Sequence, residues 1–296
     1  MTETQLAIFV EVADQRSFTV AALRLGISQS AVSHAIGMLE KELGVRLFRR
    51  SKMEISPTDI GSRLLLRARE VGGIFESIRQ EAADARGMKT GTLRIGSFGP
   101  TASLRLLPPL LDKFKQRYPG VEVHIDEGED AEVIQWLRDC RVDVGFVVLP
   151  EEQFETLHLV TDQMVALLPR NHSHAVKSSI ALSDLCSDPF VLTEAGSAKI
   201  VMDLFDRHHL SPRIRFKSSQ IVSTLAHIQR GEAVTILAQM ALPAQLGEGV
   251  VALPLNPPLP RLVGLAYHNQ RQISPVTQAF IKLAGKMDFP LSQLNR

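Results

Sequence analysis

Near the start of the chain, apolar residues recur at the three- and four-residue spacing that lets a helix bury one face. Phe18, Ala21, Ala22 and Leu25 mark one short helix, and Val32, Ile36, Leu39 and Leu43 a second. Gly26 stands where the chain must turn between them, and Ser28 is placed as the N-cap of the second helix. This register turns Gln29, Ser30, Ser33, His34 and Gly37 outward. Small polar side chains of this kind reach base edges or phosphates without filling a groove, which is the character of a helix-turn-helix with duplex DNA as its partner. Two helices and a glycine turn also occur in domains that bind nothing, where such polar residues are merely solvated. The next residues separate the two readings. Gly44 ends the helix, and Arg46, Arg49, Arg50 and Lys52 follow ahead of the turn Ser56-Pro57-Thr58. A basic hairpin beside a recognition helix is a wing, suited to phosphate contact.

At this point the chain resembles the N-terminus of the LysR-type transcriptional regulators. The shared pattern runs through Ala21, Ala22, Leu23, Ser28, Gln29, Ser33, Ile36, Leu39, Glu40, Leu43, Gly44, Leu47, Phe48 and Arg50, and continues into Thr58 and Gly61. Ser30 stands where the family often has Pro, a change that bears on base preference, and the Asp59-Ile60 pair is unusual at the wing exit. The DNA-contacting set expected from these readings is Ser28, Gln29, Ser30, Ser33, His34, Arg46, Arg49, Arg50, Lys52 and Thr58.

From Thr58 to about Arg86 the pattern predicts one long helix. Leu64, Ala68, Val71, Phe75, Ile78 and Ala82 alternate spacings of four and three, a heptad seam that buries its stripe against a partner helix. Gly72-Gly73 weakens a long coiled coil, and packing against the chain's own domain is the competing reading. The resemblance implies that this helix pairs two chains and links reader to sensor. Residues 86–91 then read as a hinge, with Gly87 ending the helix.

Beyond the hinge, strands and helices alternate. Strands are expected at 92–97, 121–125, 142–149, 163–168, 190–192, 214–216, 233–237 and 262–267. Helices are expected at 108–118, 131–138, 199–208, 221–230 and 275–286. Alternation at this spacing predicts parallel sheets with crossover helices. Two such α/β units resemble a periplasmic-binding-protein fold, as the family's effector domain does. The expected architecture is therefore α/β with an N-terminal all-α winged helix-turn-helix over residues 1–58. A linker helix follows at 59–87, then a two-lobed effector domain at 88–296, with lobe I at about 92–162 and 267–296 and lobe II at about 163–266.

Ligands in open α/β sheets sit beyond the strand carboxyl ends. That places Ser97, Phe98, Gly99, Pro100, Thr101 and Ser103 at a first ligand-facing turn, with Phe146 and Val147 closing the sheet edge. Thr193, Ser197 and Lys199 repeat the arrangement in the second unit, and Ser219 flanks a third helix start. Hydroxyls at helix starts are also ordinary caps. Asp126, Glu127, Glu129 and Asp130 complement a helix dipole, and would disfavour a small carboxylate if they faced the cleft.

Composition changes the picture little. Net charge is +1, and residues 1–90 carry 13 Lys and Arg against 11 Asp and Glu, so the electrostatic footprint is local and strong nonspecific DNA binding is not expected. No apolar run reaches membrane-spanning length and no signal-peptide order opens the chain, so a cytoplasmic protein without membrane contact is expected. Cys140 and Cys186 suggest no disulfide framework and read as inert thiols; residues 195–205, where the family's peroxide sensors carry a cysteine, have none. His172, His174, His208 and His209 lack further ligands at matching spacing, so neither a metal nor another cofactor is expected. A solute-binding module and an α/β enzyme are the alternatives. The N-terminal reader and the lack of a nucleophile–base set count against them. The expectation is a sequence-specific regulator of transcription that answers to a small-molecule effector. The resemblance adds a dimer of dimers, and contact with RNA polymerase belongs to the same expectation.

Overall fold

The computed structural model describes residues 1–50, 55–85, 90–194, 198–269 and 273–289. The chain divides into two compact units, residues 1–91 with 138–141, and residues 92–137 with 142–296.

In the first unit, α1 (Glu3–Gln15), α2 (Phe18–Leu25) and α3 (Gln29–Leu43) are each started by a hydroxyl side chain. Thr2, Ser17 and Ser28 accept from the backbone N–H groups of Gln5, Val20 and Ala31. Gly26 and Gly44 end α2 and α3 at φ 67° and 69°, a left-handed conformation that costs glycine little. The apolar stripes meet as anticipated at Phe18, Ala21, Ala22, Val32, Ile36 and Leu39, all buried. Leu25 and Leu43, expected on the same stripes, lie at their edges and stay 36% exposed. Phe48 closes this core edge-on to both Phe9 and Phe18, with ring centroids 5.4 and 5.9 Å away.

The wing is a hairpin of β1 (Phe48–Arg50) and β2 (Ile55–Pro57), paired antiparallel. Buried Glu40 on α3 fixes its base by accepting from the N–H groups of Leu47 (2.8 Å) and Phe48 (3.3 Å). The long helix α4 (Asp59–Ala85) follows at once. Gly61 in its first turn lies so close to the Leu47 carbonyl that an added Cβ would stand 2.1 Å from that oxygen.

The second unit contains β3 (Thr90–Phe98), a π-helical turn (Thr101–Leu106), α5 (Leu107–Arg117), β4 (Gly120–Gly128), α6 (Asp130–Arg138), β5 (Val144–Leu149) and the long β6 (Glu155–Pro169). There follow β7 (Ile180–Ala181), β8 (Pro189–Thr193), α7 (Ala198–Arg207), β9 (Arg213–Ser218), α8 (Ile221–Gln229) and β10 (Thr235–Ala238). A 3-10 turn (Gln239–Ala241), the long β11 (Val250–Tyr267) and α9 (Pro275–Ala284) complete it. The main sheet runs β10-β6-β11-β5-β3-β4.

This sheet is mixed rather than parallel. β3 and β5 pair parallel, but β11 runs antiparallel to both β5 and β6. The strands expected at 163–168 and 262–267 are only parts of two strands of 15 and 18 residues that pass from one hydrophobic core to the other. One core gathers Leu93, Ile95, Phe114, Phe146 and Phe280, and the other Leu167, Phe190, Phe205, Val234 and Ile236. Val263, Leu265 and Ala266 belong to the first core. β11 has thus entered the first core by Val263, close to the expected end of lobe II at about residue 266.

Candidate functional site

Two regions collect the polar residues singled out in the sequence. The first is the start of α3 and the wing. Gln29, Ser30 and His34 are exposed and Ser33 is half-buried. Gln29 Nε2 donates to Ser33 Oγ at 2.9 Å, and the hydroxyls of Ser28 and Ser30 lie 2.9 Å apart. These local bonds hold a row of donors and acceptors on one face of the helix, where water or a base edge can replace them.

On the wing, Arg46 reaches Glu40 (3.3 Å) and Arg49 reaches Asp59 (2.7 Å). Arg49 and Asp59 are 65% and 94% exposed. Such a pair contributes about 0–1 kcal/mol, so a phosphate can readily take the arginine. Arg50 ends β1, but its side chain lies outside the described residues, as does the whole of Lys52. Thr58, expected in the contact set, is half-buried and uses its hydroxyl locally. Its hydroxyl donates to the carbonyl of Arg46 (2.7 Å) and accepts from the Gly61 N–H (2.9 Å), so it starts α4 and locks the wing base.

Along α4, Leu64, Leu65 and Ala68 pack on the first unit's core. Further on, Phe75 and Ile78 of the same seam stay exposed, at 37% and 57%, as does Ile74 beside them, at 58%.

The second region lies around the turn after β3. Ser97 and Ser103 share a hydrogen bond of 2.8 Å, and Gly99 takes φ 48° to turn the chain. Behind them sits a buried ionic group that the sequence did not suggest. Arg261 on β11 and Asp162 on β6 are both buried. Arg261 Nη2 donates to Thr101 Oγ1 (2.6 Å) and to Asp162 Oδ2 (3.2 Å), and its guanidinium lies 5.6 Å from the Phe98 ring centre. The other oxygen of Asp162 accepts from the N–H groups of Gln163 (2.7 Å) and Met240 (3.1 Å).

Burial pushes the Asp162 carboxyl up, against the opposing pull of Arg261 and the two backbone N–H groups. Burial likewise lowers Arg261, while Asp162 and Asp130 hold its charge. Asp130, at the start of α6, is pushed up to about 6 by burial. Arg261 and its own backbone N–H work against that shift, and Glu129 adds to it. Its Oδ1 is buried and has no hydrogen-bond partner among the described residues.

The expected effector set therefore divides. Ser97, Thr101 and Thr193 are buried, with their hydroxyls engaged inside the protein; Thr193 bonds Thr224 at 2.8 Å. Phe98, Phe146 and Val147 are corrected. They are packed in the first core, because β3 and β5 are covered on both faces there, and offer a ligand no surface. Gly99, Pro100 and Ser103 are half-buried, while Lys199 and Ser219 are exposed. Ser197 lies outside the described residues.

No group of His, Cys, Asp and Glu among the described residues could hold a metal. His172 and His174 instead face Asp188 (3.1 Å) and Asp184 (3.3 Å). Burial pushes the Cys186 thiol up, away from thiolate reactivity. No described helix is long and apolar enough to cross a membrane.

Two family models match the chain. Residues 4–62 match the bacterial regulatory helix-turn-helix model of the lysR family, and residues 86–287 match the LysR substrate binding domain. An uncharacterized HTH-type transcriptional regulator of Bacillus subtilis, YvbU, is 36% identical over 97% of this chain and 99% of its own. A probable HTH-type regulator of Synechococcus elongatus, LrrA, is 36% identical over 90% of each chain. Among solved structures, a full-length OxyR variant from Pseudomonas aeruginosa superposes with a TM-score of 0.78 at 24% identity, over 96% of this chain and 93% of that one, a likeness of fold alone.

Proposed function

The chain belongs to the LysR family of DNA-binding transcriptional regulators, with an effector-binding domain, and we propose that Gln29, Ser30, Ser33 and His34 read its operator while Arg46, Arg49, Arg50 and Lys52 hold the backbone. The observation that carries this reading is the start of α3, where Ser28 caps the helix and the exposed polar side chains of Gln29, Ser30 and His34 follow. Side chains at the N-terminal end of a recognition helix are the ones that meet base edges. Residues 1–58 form the reader, 59–87 the linker and 88–296 the sensor. The effector engages the half-buried turn of Gly99, Pro100 and Ser103 together with Lys199 and Ser219, and Thr101 supports that turn from behind.

Two readers pair through α4, and two pairs form a tetramer whose shape the effector shifts by binding one arrangement more tightly than the other. Action on the chromosome places the protein in the cytoplasm, with RNA polymerase as the further partner. The test is a footprint of the purified full chain on its own upstream intergenic DNA against random duplex at near-physiological salt. A discrete, roughly two-fold protected site supports the reading. Folded, oligomeric protein that shows no preference even at low salt overturns it.

A further inference from the structure

A cavity of about 180 Å³ opens where the ends of α5 and α9 converge, lined by Arg117, Tyr118, Ala279, Lys282, Leu283 and Lys286. None of the residues assigned above to DNA or effector lines it. Three cations surround it and no carboxylate does. The chain as a whole balances its charge closely, with 33 Lys and Arg against 32 Asp and Glu. Arg46, Arg49, Arg67, Arg79, Arg230 and Arg261 each sit against an acidic side chain. Among the described residues Arg117, Lys282 and Lys286 have no such partner within 4 Å, although Asp112 and Asp288 are near them in sequence.

Helix ends explain part of this charge. Arg117 and Lys282 lie in the last turns of α5 and α9, where cations complement exposed carbonyl groups. Each helix end supplies only about half a negative charge. Two ends therefore offset roughly one of the three cations, and the concavity stays positive. Lys286 lies beyond α9, in a turn closed by its own N–H on the Leu283 carbonyl (3.1 Å). Arg117 is steadied by donation from Nε to the Tyr118 hydroxyl (3.3 Å), with its guanidinium 5.9 Å from that ring. Ala279 and Leu283 give the cavity an apolar wall. At about 30 Å³ per water the space holds roughly six, enough for a tetrahedral or planar oxyanion and a few further atoms.

We propose that this cavity is a second binding site, separate from the effector region, for a small oxyanion carrying two or more negative charges. Arginine supplies forked donors to such a group, and the two lysines supply point charges on either side. The chemistry is shared by phosphate groups and by small dicarboxylates.

The test is titration calorimetry of the full chain at constant ionic strength, with inorganic phosphate, pyrophosphate and succinate as probes. Saturable binding of one per chain is expected for at least one of them, and which probe binds identifies the source. K282Q/K286Q should weaken that binding by about tenfold or more, while K282R/K286R keeps most of it. K113Q/K115Q removes the same charge from exposed positions of α5 outside the cavity and should change affinity by less than about twofold. Absence of saturable binding with all three probes overturns the proposal. So does an equal loss in K282Q/K286Q and K113Q/K115Q, which would show a diffuse response to net charge.

Discussion

Arg261 and Asp162 face each other as direct cross-strand partners of β11 and β6, at the point where both strands pass between the two cores of the second unit. Their ion pair is buried and also reaches Thr101 through Arg261 and the Met240 backbone through Asp162. One pair thus ties the turn after β3, the two long strands and the 3-10 turn after β10. A buried pair of this kind is costly to break and adds little over apolar residues of the same volume.

Arg261→Met alone should therefore lower stability by about 3–5 kcal/mol, because Asp162 is left charged and buried. The double variant Arg261→Met/Asp162→Leu should recover most of that loss. Urea unfolding followed by Trp136 fluorescence checks this, and equal midpoints for the single and double variants would refute it.

Asp130 gives a pH dependence whose sign can be worked out. Its folded pKa is raised to about 6, while the unfolded chain has an ordinary aspartate value. Between about pH 4 and 6 the folded state holds more protons than the unfolded state, so this group's contribution to stability falls as pH rises and levels off above about 6. The shift corresponds to about 2–3 kcal/mol. Arg261 and Glu129 are the charges that act on it. Asp130→Asn should thus stabilise the protein relative to wild type at pH 7.5 and show much less advantage at pH 4.5. Melting curves of both proteins at the two pH values decide the matter, and a difference independent of pH would remove Asp130 as the titrating group.

The parts of this protein legible in the sequence are those whose cause is local. The α2–α3 pair follows from the spacing of Ala21, Val32, Ile36 and Leu39, from Ser28 as a cap and from Gly26 and Gly44 as stops. The wing follows from its basic run and its proline turn. The Arg261–Asp162 pair spans 99 positions and leaves no local trace. Arg261 also follows Pro254, Pro257, Pro258 and Pro260, residues that argue against a strand. The structure carries β11 through them by shifting register between Pro254 and Leu259. The burial of Phe146 and Val147 is a related case. A continuous apolar strand announces burial, but only the packing of helices on both faces shows that nothing remains for a ligand.

Gln29 and Arg49 should behave differently on DNA. Gln29→Ala removes a side chain able to make paired hydrogen bonds with a base, and should cost about 1–3 kcal/mol on the operator and relax base preference. Arg49→Ala removes a phosphate contact, and should weaken operator and random duplex alike while reducing the salt slope by about one. Binding isotherms on both duplexes at several salt concentrations make the comparison. Equal losses on the two duplexes for Gln29→Ala would exclude it from base reading.

The exposed seam of α4 supports the last prediction. Ile74 and Ile78 lie four residues apart on one helical face, 58% and 57% exposed, with Phe75 beside them. A helix gains about 1.5–3 kcal/mol for each such side chain fully removed from water, which a paired helix from a second chain would supply. Ile74→Glu/Ile78→Glu places like charges across that seam. The variant should retain the melting behaviour of its separate units, because neither side chain is buried in them, yet dissociate toward monomer in sedimentation at micromolar concentration. Operator affinity should fall with it, since one reader covers only half of a two-fold site. If the variant sediments as wild type does, the seam is not the pairing surface, and oligomerisation must rest on the second unit alone.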